Sequence, residues 1–183
     1  MRQALKLHPD SCCDALTGIV VEVARHRGHL LLRYVVAGNI GNLRLPSVRR
    51  PARANDLWQH TCFEVFIRLR PSEAYFEFNF APSLQWAANA FSSCRTGMRV
   101  AHEIDAPCFE SKSEGGVYEL KISLELGRLP GLTRDSTWNL GLAAVIEETN
   151  NRKSYWALEH APGVANFHHS DCFALELPAT LQP

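Results

Sequence analysis

Three kinds of side chain in this sequence could do chemistry. The first are carboxylates set inside apolar runs. Glu64, Glu77 and Glu147 lie in CFEVFIR, YFEFNF and WNLGLAAVIE, which begin at Cys62, Tyr75 and Trp138. An unpaired charge inside a strand is costly to bury, so each marks either a solvated rim or a site that supplies partners. The second kind is indole. Trp58, Trp86, Trp138 and Trp156 each offer a flat surface that stacks on the C–H face of a sugar ring, with an N–H for a hydroxyl. Trp138 alternates with Leu140 and Leu142 and reads as core, whereas Trp86 and Trp156 are taken as the stacking candidates. The third kind is imidazole, at His60, His160, His168 and His169. Adjacent residues in extended chain point opposite ways, so His168 and His169 do not hold one metal together. No metal site is expected. HExxH, a phosphate-cradling glycine loop and a nucleophile elbow are all absent from the sequence.

The elements that position these groups follow from alternation. Phe63, Val65, Ile67 and Leu69 fall on one face of a strand, and Cys62, Glu64, Phe66 and Arg68 on the other. Phe76, Phe78 and Phe80 alternate in the same way with Tyr75, Glu77 and Asn79. The segment from Arg70 to Ala74 closes the two into an antiparallel hairpin. If the aromatic stripes share a core, Glu64, Glu77 and Asn79 share the opposite face. Further strands are expected over 18–25, 29–37, 84–91, 99–105, 117–124, 138–147, 154–159 and 172–177. Turn signals separate them at Arg27-Gly28, Thr96-Gly97, Gly115-Gly116 and Asn150-Asn151. Residues 1–17 read as irregular, and 38–55 and 160–171 as long loops. About ten short strands without a helix longer than two turns point to an all-β chain. The expected fold is a single-domain antiparallel β-sandwich over 1–183, jelly-roll or immunoglobulin-like.

Composition narrows the partners. The 183 residues balance 19 Lys and Arg against 19 Asp and Glu, so the chain lacks the basic footprint of a nucleic-acid binder. Arg44, Arg49, Arg50 and Arg53 are the only basic concentration and read as a solvated loop. No apolar run approaches the ~18 residues of a membrane span. No N-terminal apolar stretch resembles a secretion signal, so a cytoplasmic protein without a membrane partner is expected. The six cysteines include no CxxC pair and are expected to be free thiols, with Cys62 and Cys172 buried.

The segments LWQHTCFEVFI, YFEFNFAPSLQWAANAF, RTGM, WNLGLAAVIEE and SYWALEHAPGVANFHH together resemble a bacterial family of DOMON-like domains, related to family-9 carbohydrate-binding modules. The match runs from about Gly18 to Leu177. It departs from the family's pattern at Asn89, where that pattern has an aromatic, and at Asn166, where it has a carboxylate. The resemblance implies a β-sandwich that binds sugars or haem, the latter through Met and His ligands; Met98 is the one internal methionine. The leading expectation is a non-catalytic module for a small molecule, first of all a sugar, on the polar sheet face. Trp86 and Trp156 would stack, and Glu64, Glu77, Asn79 and Glu147 would bond hydroxyls. Arg95 and His160 would stand at the rim, and His168 completes the set. The alternatives are haem binding, a hydrolase or lyase using Glu64 or Glu147 with His160, and a protein-docking face.

Overall fold

The computed structural model describes residues 1–180. Its strands are β1 (Arg2–Leu7), β2 (Leu16–His26), β3 (His29–Gly38), β4 (Ala52–Arg53), β5 (Cys62–Arg68), β6 (Tyr75–Phe80), β7 (Gln85–Phe91), β8 (Arg99–Val100), β9 (Cys108–Glu114), β10 (Val117–Glu125), β11 (Trp138–Glu147), β12 (Lys153–Ala157) and β13 (Leu175–Leu177). Helix among the described residues is confined to three single 3-10 turns, Ile40–Asn42, Leu57–Gln59 and Ser170–Cys172.

The strands join in one open sheet, ordered β4-β7-β6-β5-β11-β12-β1-β2-β3-β10-β9, with β13 on β11 and β8 on β7. β1 is the joint. Lys6 and Leu7 pair with β12, whereas Arg2 to Leu5 pair with β2. The sheet curls about this joint, and its two wings face each other across one core. Tyr34 of β3 donates its hydroxyl to the Glu64 backbone carbonyl of β5 at 2.7 Å, and its ring lies 5.0 Å from that of Phe63. Phe63, Val65 and Ile67 of β5 and Phe78 and Phe80 of β6 are fully buried there. Tyr118, Leu120, Ile122 and Leu124 of β10 meet them from the other wing. Each such side chain contributes roughly 1.5–3 kcal/mol of burial.

The observed sheet corrects the expected one. The chain is nearly all β, but its thirteen strands form a continuous, curled and mixed sheet, not an antiparallel sandwich of about ten strands. β4 runs parallel to β7. β1 replaces an expected irregular segment, because a strand that hands over between two wings has no single core face to alternate against; only Leu5 turns fully inward. β9 (CFESKSE) has no apolar stripe and is held by its ladder to β10. The expected strand over 99–105 shrinks to Arg99–Val100, and Cys172 lies in a 3-10 turn ahead of β13.

The outer face of the β5-β6-β7-β11-β12 wing is also covered. Residues 158–173 cross it as an irregular roof whose Phe167 and Phe173 pack with Phe66, Tyr75, Phe91, Ala143, Val145 and Ala157. Arg68 ties the roof down by stacking its guanidinium 4.4 Å above the Phe173 ring. No described helix is long and apolar enough to cross a membrane.

Candidate functional site

Strand register assembles the polar groups under and beside this roof. Glu64 stands opposite Asn79 of β6 and Ala143 of β11, and Asn79 opposite Ala87 of β7. The neighbouring row places Phe66, Glu77 and Asn89 side by side. Ala143 and Ala157 continue the Glu64 row on β11 and β12, and Ala87 continues it beyond Asn79. Asn89 donates to Glu77 Oε2 at 3.1 Å, and the Cys62 thiol lies 3.7 Å from Asn79 Oδ1.

A hydrogen-bonded chain connects the sheet to the roof. The Arg95 backbone N–H donates to the Tyr75 hydroxyl at 3.2 Å. That hydroxyl lies 2.7 Å from His168 Nδ1. Burial pushes the Tyr75 phenol up to about 12, so it keeps its proton and donates it. His168 Nδ1 is then the acceptor, and its Nε2–H is directed at Glu77 Oε1, 3.9 Å away. Burial, reinforced by the Arg95 charge, lowers His168 to about 4, so the ring is neutral at pH 7. The Arg95 side chain closes the loop by donating Nε–H to Asn166 Oδ1 at 3.1 Å, and the same oxygen accepts from the His168 backbone N–H at 3.3 Å.

The two carboxyls differ in their partners. Burial raises Glu77, while the Asn89 and Asn79 amides and the Arg95 charge pull it back. Glu64 is only 3% exposed, and its Oε1 is sealed without a hydrogen-bond partner among the described residues. Burial, with Glu77 adding to it, raises Glu64 well above the usual carboxylate range. A protonated Glu64 offers both a donor and an acceptor to whatever reaches it.

The structure thus brings Glu64, Glu77, Asn79, Arg95 and His168 together, and places the other expected residues elsewhere. Trp86 is 3% and Trp156 6% exposed, and both belong to the core between the wings. Register explains this: Trp86 lies opposite Phe80 and so shares the inward stripe, and Trp156 lies opposite Ala144 on the inward face of β11. They are packing residues, not stacking platforms. Glu147 is on the outer face, but four residues along β11 from the Glu64 row, which is about 13 Å in a strand. It is bonded by His60 Nδ1 at 2.7 Å and approached by the Arg44 guanidinium at 3.3 Å. His160 turns away as well: its Nε2 lies 2.9 Å from the Lys6 carbonyl and its ring 4.8 Å from that of His8. The expected acid–base pairing of Glu64 or Glu147 with His160 is therefore not assembled. His168 Nδ1 is taken by the Tyr75 hydroxyl, and Met98 is 63% exposed on its turn. Among the described residues no three of His, Cys, Asp and Glu are grouped closely enough to hold a metal ion.

Tyr75, which strand parity had already placed on the polar face, joins the site, as do Asn89 and Asn166, which it did not single out. Asn89 and Asn166 are amides to which parity alone gives no role. Here one amide bonds Glu77 and the other bonds Arg95. Trp58 is 53% exposed and rides on the Leu57–Gln59 turn, which packs on β5, β6 and β7. A concavity of about 750 Å³ lies elsewhere, on the outer face of the other wing around Glu22, Leu31, Arg33 and Lys121. Several of its charges are already paired: Arg33 with Glu22 and Glu119, and Lys121 with Glu110. The polar cluster beside Glu64 has the stronger chemical claim, because there a buried group lacks its partner.

No family model and no curated relative matches this chain. Among solved structures it is similar to one described as a putative carbohydrate-binding protein from Bacteroides uniformis. The TM-score is 0.63 at 12% identity, over 91% of this chain and 81% of the other. At that identity the likeness shows a shared fold.

Proposed function

We propose that this chain is a non-catalytic small-molecule-binding domain whose ligand is a carbohydrate, held at the outer face of β5, β6 and β7. The observation that carries this reading is Glu64, a buried carboxyl on a polar sheet face with an oxygen that no described group satisfies. Leaving a buried polar atom unpaired costs ~1–3 kcal/mol; because Oε1 is sealed, a ligand hydroxyl recovers it only by displacing part of its cover. Asn79 stands beside Glu64, and the outward row of β7 at Gln85, Ala87 and Asn89 is half-exposed, which gives a sugar an approach. Trp58 is the exposed indole at this end of the face and takes the stacking role. The fold shared with a protein described as carbohydrate-binding supports the same ligand class, as does the resemblance of the Leu57–Ile67 and Tyr75–Phe91 segments to DOMON-like and family-9 carbohydrate-binding domains.

The test is a glycan array probed with the full chain, followed by calorimetric titration of the best ligand with three proteins. Wild type is expected to bind. Trp58→Ala is expected to weaken binding about tenfold or more while leaving stability within about 0.5 kcal/mol, as for a surface change. Glu64→Gln is expected to weaken binding with the fold retained. Undiminished affinity in both variants would place any sugar site elsewhere on the molecule.

A further inference from the structure

The loop from Arg44 to Arg53 holds the chain's only basic concentration, in a protein whose overall formal charge is zero, so the rest of the chain is net acidic. The structure fixes where this loop lies. The Arg44 backbone N–H donates to the Glu147 carbonyl at 2.8 Å, the Arg49 N–H to the Ser83 carbonyl at 3.0 Å, and the Ala54 N–H to the Trp86 carbonyl at 2.9 Å. Thr61 Oγ1 also donates to the Arg44 carbonyl at 2.9 Å. These bonds stretch the loop along the end of the sheet where β5 and β7 begin and β6 ends. Trp58 and His60 occupy the same end, and the Glu64–Asn79 row begins one step inward from Cys62, about 7 Å along the strand.

The arginines of the loop divide by task. Arg53 caps the Ala101 and Ile104 carbonyls and stacks 4.1 Å from the Trp86 ring centroid. Arg44 reaches Glu147 and Asn151. Arg49 and Arg50 are exposed and have no ion-pair or side-chain hydrogen-bond partner among the described residues. At the far end of the polar face stands a further exposed cation, Arg95. Between these guanidinium groups lies Glu64, whose ionisation burial disfavours.

We propose that this site selects saccharides carrying a negative group, a carboxylate or a phosphate ester, with Arg49 and Arg50 as the anion-binding rim. The inference rests on the carbohydrate reading and names its ligand class. The planar fork of a guanidinium matches either anion with two parallel N–H donors. Neutral sugars of the same size would gain the stacking and hydroxyl contacts but not these.

The experiment uses the full chain and one glycan array carrying neutral, uronate-bearing and phosphorylated saccharides, with inorganic phosphate as a soluble competitor. Hits are titrated calorimetrically against wild type, R49E/R50E and R49Q/R50Q. The expected result is binding of acidic glycans about tenfold or more above their neutral counterparts, the effect of one to two charge-assisted hydrogen bonds. That preference should weaken as salt shortens the Debye length below about 8 Å and vanish in R49E/R50E, with R49Q/R50Q intermediate. The uronate and phosphate arms then tell which anion is read. Equal binding of neutral and acidic glycans, or a preference that survives both variants, overturns the inference and leaves the carbohydrate reading standing. Inorganic phosphate competing as well as a sugar phosphate also overturns it, since the rim would then bind anions without a sugar. Absence of binding to every glycan overturns the carbohydrate reading itself, and the inference with it.

Discussion

Replacing Glu64 by Gln keeps the side chain's shape and removes its ionisable proton, and the effect on stability is expected to depend on pH with a sign fixed by the structure. Burial first, and the Glu77 charge second, hold the folded carboxyl protonated well above its ordinary value of 4.5, with Arg95 opposing. Above pH 4.5 the unfolded chain has released a proton that the folded chain retains, so raising the pH favours unfolding. Each pH unit over which folded Glu64 keeps its proton therefore costs wild type about 1.4 kcal/mol relative to E64Q. His168 works in the opposite sense. Its folded value of about 4 lies below the ordinary 6.5. Between those values the unfolded chain binds a proton that the folded chain does not, and stability falls as the pH drops. The two slopes offset each other below pH 6.5 in wild type. The difference between E64Q and wild type cancels the His168 contribution and isolates Glu64. Urea unfolding of both proteins at steps between about pH 5 and 8, with equal m-values, measures it. E64Q should gain on wild type steadily with pH, and the gain should level off where folded Glu64 ionises. Two parallel profiles would show that Glu64 titrates like a solvated carboxyl, and it would no longer be an unsatisfied buried group.

Trp156→Ala is expected to cost roughly 3–5 kcal/mol by guanidinium unfolding, and it also strips Ser154 of the indole N–H that donates to it at 3.0 Å. A loss under about 1 kcal/mol, the range of surface changes, would put Trp156 outside the core. Phe78→Ala, fully buried between the wings, should fall in the same 3–5 kcal/mol range; a cost near zero would mean that the hairpin faces are inverted. Tyr75→Phe removes the hydroxyl between Arg95 and His168 and should cost about 1–3 kcal/mol, with a changed imidazole tautomer signal for His168 in nitrogen NMR. An unaltered His168 spectrum would break the connection drawn here between sheet and roof.

The hairpin was legible because its two strands alternate without interruption and a five-residue connection leaves one register. From that register alone, Phe63, Val65, Phe78 and Phe80 face inward and Glu64, Glu77 and Asn79 outward, as found. The tryptophans were not legible by residue type. A large indole on a strand is equally suited to a core and to a sugar, and only the pairing of Trp86 with Phe80 and of Trp156 with Ala144 decides. The first of these pairings runs through the Ala81–Leu84 turn, in which Leu84 takes a positive φ of 68° that its residue type does not announce. β1 and β9 escaped because neither buries one whole face. The roof escaped for a related reason: residues 158–173 have no period, and Phe167, His168 and Phe173 acquire their positions only by landing on the outer face of another element. His168 joins the site and His160 does not, although both belong to the same loop in sequence.

A buried polar network that serves only structure differs from one that awaits a ligand in whether its donors and acceptors balance. Around Glu77 most are met. Asn89 donates to one oxygen, Tyr75 donates to His168 Nδ1, the Arg95 backbone N–H donates to Tyr75, and Asn166 accepts from both Arg95 and the roof backbone; the other Glu77 oxygen lies 3.9 Å from His168 Nε2. This half of the cluster holds the roof to the sheet. The other half, Glu64 with Asn79, lies toward the half-exposed β7 edge, Trp58 and the arginine loop, and there one oxygen is left over. Substitutions in the two halves should therefore separate. Glu77→Gln puts an amide N–H₂ where a carboxylate received hydrogen bonds, so it should loosen the roof and speed amide exchange across 158–173 whether or not sugar is present. Glu64→Gln has no internal hydrogen bond to break, so it should leave that exchange unchanged and alter only the response to ligand. If Glu64→Gln loosens the roof as much as Glu77→Gln does, the two carboxyls belong to one structural network, and the outer face has no vacancy for a sugar to fill.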